Sequence, residues 1–276
     1  MKFSLVLATI GRVREVGGFL AALTRCHYSQ VELIVVDQNP DDRLGPILAA
    51  YKEQFSIVHV HSAPGLSRGR NQGLRYTCGE IVAFPDDDCW YPPTLLSDVD
   101  NWFRSHPDFD GLSVCSRAES GEPSNAFWDR QGGVITEHNV WRRAISISVF
   151  LRSPVIKATG DFDERLGIGS GTDWGSGEET DYLIRALRGG FRLYYEPALS
   201  VIHPRSLGDE RTLARAYSYG LGYGYVLRKH RYPFYFVAYC WFRSLGGMLL
   251  SLLRRKPMEA IQFWATLRGR IRGWAR

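Results

Sequence analysis

Glu80-Ile81-Val82-Ala83-Phe84-Pro85-Asp86-Asp87-Asp88 is the stretch on which the reading of this 276-residue chain turns. Its apolar run predicts a short buried strand with three carboxylates at the carboxyl end. In open α/β sheets, ligands bind at that edge. Three adjacent like charges repel, so the cluster costs stability unless a counter-charge offsets it. Mg2+ or Mn2+ suits such hard oxygens and is commonly shared with substrate phosphates. A solvated acidic turn is the plain alternative.

On the amino side of that stretch, Phe3 to Ala8 reads as a strand, and Arg14 to Cys26 as a helix with Val16, Phe19, Leu20 and Leu23 on one face. Val31 to Val36 is rich in β-branched residues and reads as a strand covered on both sides. Leu44 to Phe55 is helical, Ile57 to Val60 is a strand, and Ser67 caps a helix reaching about Thr77. Another helix follows the acids, from about Pro93 to Ser105. This alternation predicts a Rossmann-like α/β fold, with a mostly parallel sheet sandwiched by helices and its strand ends gathered on one edge. Beyond it come a strand at Leu112–Cys115, a polar excursion over 117–140 and a strand over Ala144–Leu151. A glycine-rich loop, Gly167–Gly177, carries Trp174, and reads either as a cover over substrate or as a surface connection. A helix over Glu178–Arg188 and two short strands, Arg192–Tyr195 and Leu199–Ile202, complete the body.

The net charge of +5 hides an asymmetry. Residues 228–276 carry eleven Lys/Arg and one acid, a balance of +10, while the remainder balances at −5. A strongly basic end fits an anionic membrane surface or a polyanion. Within it, Phe234 to Leu253 is long enough to span a bilayer, but Arg243 in its middle favours a helix lying in the interface. Ile261, Trp264, Leu267, Ile271 and Trp274 then interleave with Arg268, Arg270 and Arg272, a pattern of interfacial amphipathic helices. The alternative is a helical pair packed on the body or in a dimer. No nucleic-acid module accompanies the basic residues, so nucleic acid is not an expected partner. Five cysteines, an odd number without CxxC spacing, support neither zinc nor a disulfide framework, and fit a reducing compartment. The apolar start ends early, at Gly11 and Arg12, and reads as a strand rather than a signal peptide.

Further motifs carry chemistry. Asp37 ends the second strand, where it can accept hydrogen bonds from a base or ribose, or shape a turn. Gly65-Leu66-Ser67-Arg68-Gly69-Arg70-Asn71-Gln72-Gly73 opens a helix at which Arg70 can fork onto a phosphate or an acid, and Asn71 can brace the loop of acids. Neither a Walker loop nor a GxGxxG is present, which argues against NAD, FAD and P-loop chemistry. Glu178-Glu179-Thr180-Asp181 begins a helix, as dipole-complementing caps or as the seat of a general base. His203, at the end of the last strand, is a candidate imidazole ligand.

The order Thr9-Ile10-Gly11-Arg12, Asp37, Gly69-Arg70-Asn71-Gln72-Gly73, Asp86-Asp87-Asp88, Gly160-Asp161-Phe162-Asp163-Glu164, Gly177-Glu178-Glu179-Thr180-Asp181 and His203 resembles the family-2 glycosyltransferases of the glycosyltransferase A fold, over residues 1 to about 205. The resemblance implies an inverting transfer of a sugar from a nucleotide diphosphate, most simply a UDP-sugar, with Mn2+ or Mg2+. It places Thr9, Arg12 and Asp37 around the nucleoside, with Arg70, Asp86 and Asp87 also on the nucleotide. Asp86 and Asp88 match the Asp-any-Asp signature, Asp88 as the main metal ligand and Asp86 nearer the ribose, with His203 beside them. Glu179 falls at the catalytic base, where the family more often has Asp after Glu, so Glu178 is the competing choice. Trp174 and Glu178 border donor sugar and acceptor. The expected organisation is a catalytic domain over 1–205 and a helical, membrane-associated region over 206–276. The expected setting is cytoplasmic, peripheral on the inner face of the cell membrane, with a saccharide or lipid-linked saccharide as acceptor. Transfer onto polyprenyl phosphate, or a non-catalytic nucleotide-binding scaffold, are the rival readings.

Overall fold

The computed structural model describes residues 1–124, 128–203 and 211–276. Its chain divides into two compact units. The first comprises Met1–Pro64, Arg68–Phe162 and Tyr182–Arg205. At its centre lies β1 (Phe3–Thr9), paired in parallel with β2 (Val31–Asp37) and β4 (Ile81–Ala83). The other strands are β3 (Ser56–His61), β5 (Gly111–Arg117), β6 (Gly133–Val134), β7 (Val149–Arg152) and β8 (Leu193–Ile202). They form one eight-stranded sheet in the order β3-β2-β1-β4-β7-β5-β8-β6. The sheet is mixed: β7 runs antiparallel to β4 and β5, and β6 antiparallel to β8. Helices α1 (Val13–Leu23), α2 (Gly45–Ala49), α3 (Leu66–Leu74), α4 (Leu95–Ser105), α5 (Val140–Arg143), α6 (Ser153–Thr159) and α7 (Glu178–Arg188) alternate with the strands.

The patterning explains the core. All seven residues of β2 are buried, as the near-continuous apolar run requires. Phe3, Leu5 and Leu7 of β1 pack with Leu33 and Val35 of β2, Phe19 and Leu20 of α1, and Val99 and Phe103 of α4. Glu32, the acid near the start of β2, is held by Lys2 at 2.6 Å, the Cys78 amide at 2.7 Å and the Ser4 hydroxyl. A buried charge needs that degree of pairing.

Three expected elements differ. The helix expected over Leu44–Phe55 is only α2, because the chain beyond it tightens into i→i−3 turns at Tyr51, Lys52 and Gln54. The strand expected over Ala144–Leu151 is extended only from Val149, because the Ser148 hydroxyl donates to the Ile145 carbonyl and accepts from its amide, closing a 3-10 turn. The two short strands near 192–202 are one strand, β8. Its register against β5 jumps from Val114–Glu196 to Cys115–Ser200, a bulge that takes up Pro197, which has no N–H for the ladder.

The second unit comprises Gly65–Ser67, Asp163–Asp181 and Ser206–Arg276, and includes α8 (Arg211–Lys229), α9 (Phe234–Leu253) and α10 (Pro257–Ala275). Helices α8 and α10 meet along glycines. A Cβ built on Gly273 would lie 2.1 Å from the Leu221 carbonyl oxygen, and one on Gly224 would lie 2.2 Å from that of Arg270. Arg270 ties the three helices together. Its guanidinium sits 4.0 Å from the Tyr223 ring centroid on α8 and donates to the Cys240 carbonyl and the Ser244 hydroxyl of α9, each at 2.9 Å. Outward, α9 shows Phe234, Tyr235, Phe242 and Leu253 at 62, 69, 69 and 82% exposure.

The close crossing makes a prediction. Gly273→Val forces α8 and α10 apart and should cost about 1–3 kcal/mol, read as a lower melting temperature. Gly246→Ala, at a helical position with open space around it, should raise the melting temperature, by about 0.5–1 kcal/mol of helix propensity.

Candidate active site

Short strand β4 ends at Ala83, and the chain then turns through Asp86-Asp87-Asp88, with the Cys89 amide donating to the Asp86 carbonyl at 3.2 Å. Trp90 and Ile202 next form an isolated antiparallel bridge, exchanging two backbone bonds of 2.9 Å. That bridge lays the acid turn against the end of β8. His203, one residue further and anchored by its amide on the Arg117 carbonyl, thus brings Nε2 to 3.3 Å from Asp88 Oδ1. Asp86, Asp88 and His203 each offer a ligand atom, all within 4.8 Å of one another.

The three acids meet different partners. Asp87 is buried; Thr9 Oγ1 donates to it at 2.5 Å and Arg12 Nη1 at 2.8 Å. The same Arg12 nitrogen donates to Asp88 Oδ2 at 2.6 Å. Asp86 faces Arg70, whose fully buried guanidinium approaches at 3.5 Å while lying near the rings of Phe84 and Phe162. Desolvation pushes Asp86 up to about 6, eased by Arg70 and reinforced by Asp88 and Asp87. Its side chain keeps 36% of its surface open, so solvent tempers that shift. The His203 hydrogen bond draws Asp88 down to about 2, with Arg12 adding to it. Burial raises Asp87 against its bonds from Thr9 and Arg12. Two imbalanced carboxylates and an imidazole form an oxygen-rich donor set that fits Mg2+ or Mn2+.

Asp37 lies at the end of β2, in register with Thr9 of β1 and buried, with Oδ1 accepting from the Asn39 amide at 2.9 Å and from its side chain at 2.7 Å. Asn71, expected to brace the acid turn, grips the backbone of Phe162 through bonds of 2.7 and 3.0 Å.

Trp174, Glu178 and Glu179 belong to the second unit. Trp174 stacks on Tyr225 of α8, with centroids 3.9 Å apart, so one of its faces is taken. Glu178 is buried against Gly167, where φ is +95° and a Cβ would lie 3.1 Å from the carboxylate carbon. Glu179 is half-buried. Asp181, fully buried in the same first turn of α7, receives Lys229 Nζ at 2.6 Å and faces His230 Nε2 at 2.8 Å. Lys229 also reaches Asp163 at 2.8 Å; against burial, hydrogen bonds from Arg165 and Lys229 hold that carboxyl well below the usual range.

A family model described as glycosyl transferase family 2 matches residues 4–156, more than half of the chain. The chain belongs to that family. Among curated relatives it is 27% identical over 176 residues to the pre-mycofactocin glycosyltransferase of Mycobacterium tuberculosis, covering 60% of this chain and 36% of that one. It is 36% identical over 107 residues to the beta-monoglucosyldiacylglycerol synthase of Synechocystis, covering 37% and 22%. The chain spans less than half the length of the curated relatives it matches. Among solved structures, the mannosyltransferase PcManGT of Pyrobaculum calidifontis, in complex with GDP-Man and Mn2+, superposes with a TM-score of 0.72 at 13% identity, over 99% of this chain and 86% of that one. The fold is therefore that of the glycosyltransferase A enzymes, as the sequence resemblance implied.

Within this family-2 chain, the structure brings Thr9, Arg12, Arg70, Asp86, Asp87, Asp88 and His203 into one cluster. Lys229 and His230 were missed from sequence. They lie in a stretch legible only as basic, and a half-buried Lys beside a buried His at a helix end has no periodic signal. Metal binding requires ionised carboxylates. Asp86 is increasingly protonated as pH falls through about 6. Mn2+ affinity, measured by calorimetry, should therefore weaken from pH 7.5 to pH 5.5, and an Asp86→Asn variant should show a smaller pH dependence than the unaltered protein.

Proposed function

We propose that the chain transfers a sugar, with inversion, from a nucleotide-diphosphate donor, a UDP-sugar, to a hydroxyl of a lipid-linked saccharide at the inner face of a membrane. The observation that carries the reading is the Asp86, Asp88 and His203 donor set at the strand ends of a family-2 sheet. These three residues would hold Mn2+ or Mg2+, which supplies Lewis-acid neutralisation of the departing diphosphate. Arg12 bridges Asp87 and Asp88, keeping both ionised acids oriented. Thr9, Asp37 and Arg70 complete the nucleotide side. Glu179, in the first turn of α7, takes the proton of the acceptor hydroxyl as that oxygen attacks the anomeric carbon, a role worth about 10²–10⁴-fold. A single displacement inverts the centre and needs no covalent intermediate. Glu178, packed on Gly167, sets the loop before it, and Trp174 offers its remaining face to a sugar ring.

The lipid setting is supported by the second unit. Phe242, Leu249, Leu253, Ile261 and Trp264 are exposed on α9 and α10, with Arg254, Arg255, Lys256, Arg268 and Arg272 exposed beside them. Large apolar side chains turned outward among cations fit an anionic bilayer surface. The beta-monoglucosyldiacylglycerol synthase is named for a lipid product, which agrees with this setting.

Asp88→Ala should abolish transfer and Mn2+ binding. Glu179→Gln should lower turnover at least about 100-fold while leaving UDP affinity unchanged, measured by product formation and calorimetry. Wild-type turnover in Glu179→Gln would remove the base assignment and favour a polyprenyl-phosphate acceptor, whose oxygen needs no deprotonation.

Co-sedimentation with vesicles tests the membrane surface. Binding should require phosphatidylglycerol, weaken in 0.5 M salt by about the Debye screening expected, and fall sharply in Phe242→Glu/Leu253→Glu. Binding of that variant to phosphatidylglycerol vesicles equal to that of the unaltered protein would reject the surface.

A further inference from the structure

Edge strand β3 places His59 and His61 two residues apart, so both imidazoles leave the same side of the sheet. In the parallel register, His61 sits beside Asp37 and His59 beside Val35. Asp37 Oδ1 is engaged by Asn39, which orients the carboxylate and leaves Oδ2 turned to His59 Nε2 at 3.0 Å. The rings of His59 and His61 are 4.9 Å apart at 45°. One ligand atom from each of Asp37, His59 and His61 lies within 4.8 Å of the other two. A hydrogen bond to Asp37 accounts for His59 alone. It does not account for a second, exposed imidazole converging on the same buried carboxylate.

The geometry points to a second cation site, formed by Asp37, His59 and His61 and selective for Zn2+ over Mg2+. Two imidazoles and one carboxylate are the donor set of open, three-ligand zinc sites, with the remaining position left to water. Magnesium prefers all-oxygen surroundings, which Asp86 and Asp88 approach and this set does not. Asn39 supplies the outer hydrogen bonds that hold a ligating carboxylate in place. The functional consequence rests on the placement of Asp37 against the nucleoside: zinc and nucleotide then compete for one carboxylate, and zinc inhibits by excluding the donor.

Zinc binding is measured by calorimetry on the full chain after chelator treatment, in an Asp88→Ala/His203→Ala background that removes the first donor set. Cobalt is followed by its visible absorption. One equivalent of Zn2+ is expected, unaffected by millimolar Mg2+, with at least tenfold weaker binding in His59→Gln and in His61→Gln. Both substitutions lie on an edge strand, and circular dichroism checks that the fold is kept. Undiminished zinc affinity in the His59→Gln/His61→Gln double variant overturns the site. UDP affinity is measured separately on the otherwise unaltered protein with Mg2+. Loss of UDP binding in Asp37→Asn upholds the nucleoside placement even where zinc fails to bind. Zinc binding together with unchanged UDP affinity in Asp37→Asn removes the competition and leaves the cation site standing.

Discussion

Repulsion among Asp86, Asp87 and Asp88 is the constraint around which the first unit is arranged. Each acid is answered differently. Asp87 is sunk beneath Thr9 and Arg12, and Asp88 is drawn between Arg12 and His203. Asp86 has Arg70 at 3.5 Å and two acidic neighbours, and its proton affinity rises. The acid whose proton affinity rises furthest is thus the one that keeps 36% of its side chain open to solvent, a pattern that clusters at sites which trade stability for chemistry.

Much of this was legible in the chain. The apolar run before three acids located the strand end, and the β-α alternation located the edge on which it lies. Asp88 and His203 are 115 positions apart in sequence. Local pattern could not show that the Trp90–Ile202 bridge joins them. The antiparallel insertion of β7 between β4 and β5 was likewise invisible, because a four-residue apolar strand reads the same in either direction. Pro197 broke one strand into two on paper, whereas the sheet absorbs it in a bulge. His59 passed as an ordinary member of the strand expected over Ile57–Val60 and His61 fell just beyond it, since alternation marks which side a residue faces and not what waits there.

In the second unit the decisive residues are those with least side chain. Gly220, Gly224, Gly269 and Gly273 let α8 and α10 approach until a methyl group would collide with backbone oxygens. Charge counting could find the basic tail but not this contact. The same unit leaves Phe234, Tyr235, Phe242, Leu249 and Leu253 of α9 facing outward while Phe236, Val237 and Cys240 are buried.

Asp181 has a consequence of its own. It is fully enclosed in the first turn of α7, two residues from Glu179, and it meets Lys229, the last residue of α8, and His230 just after it. Stripping one partner from such a pair costs on the order of 3–5 kcal/mol. A protein shortened to end before residue 229, in order to shed its greasy and cationic tail, would take Lys229 and His230 away from that carboxylate. The hydrophobic tail and the turn bearing the acids are therefore a single inheritance: neither can drift without the other following.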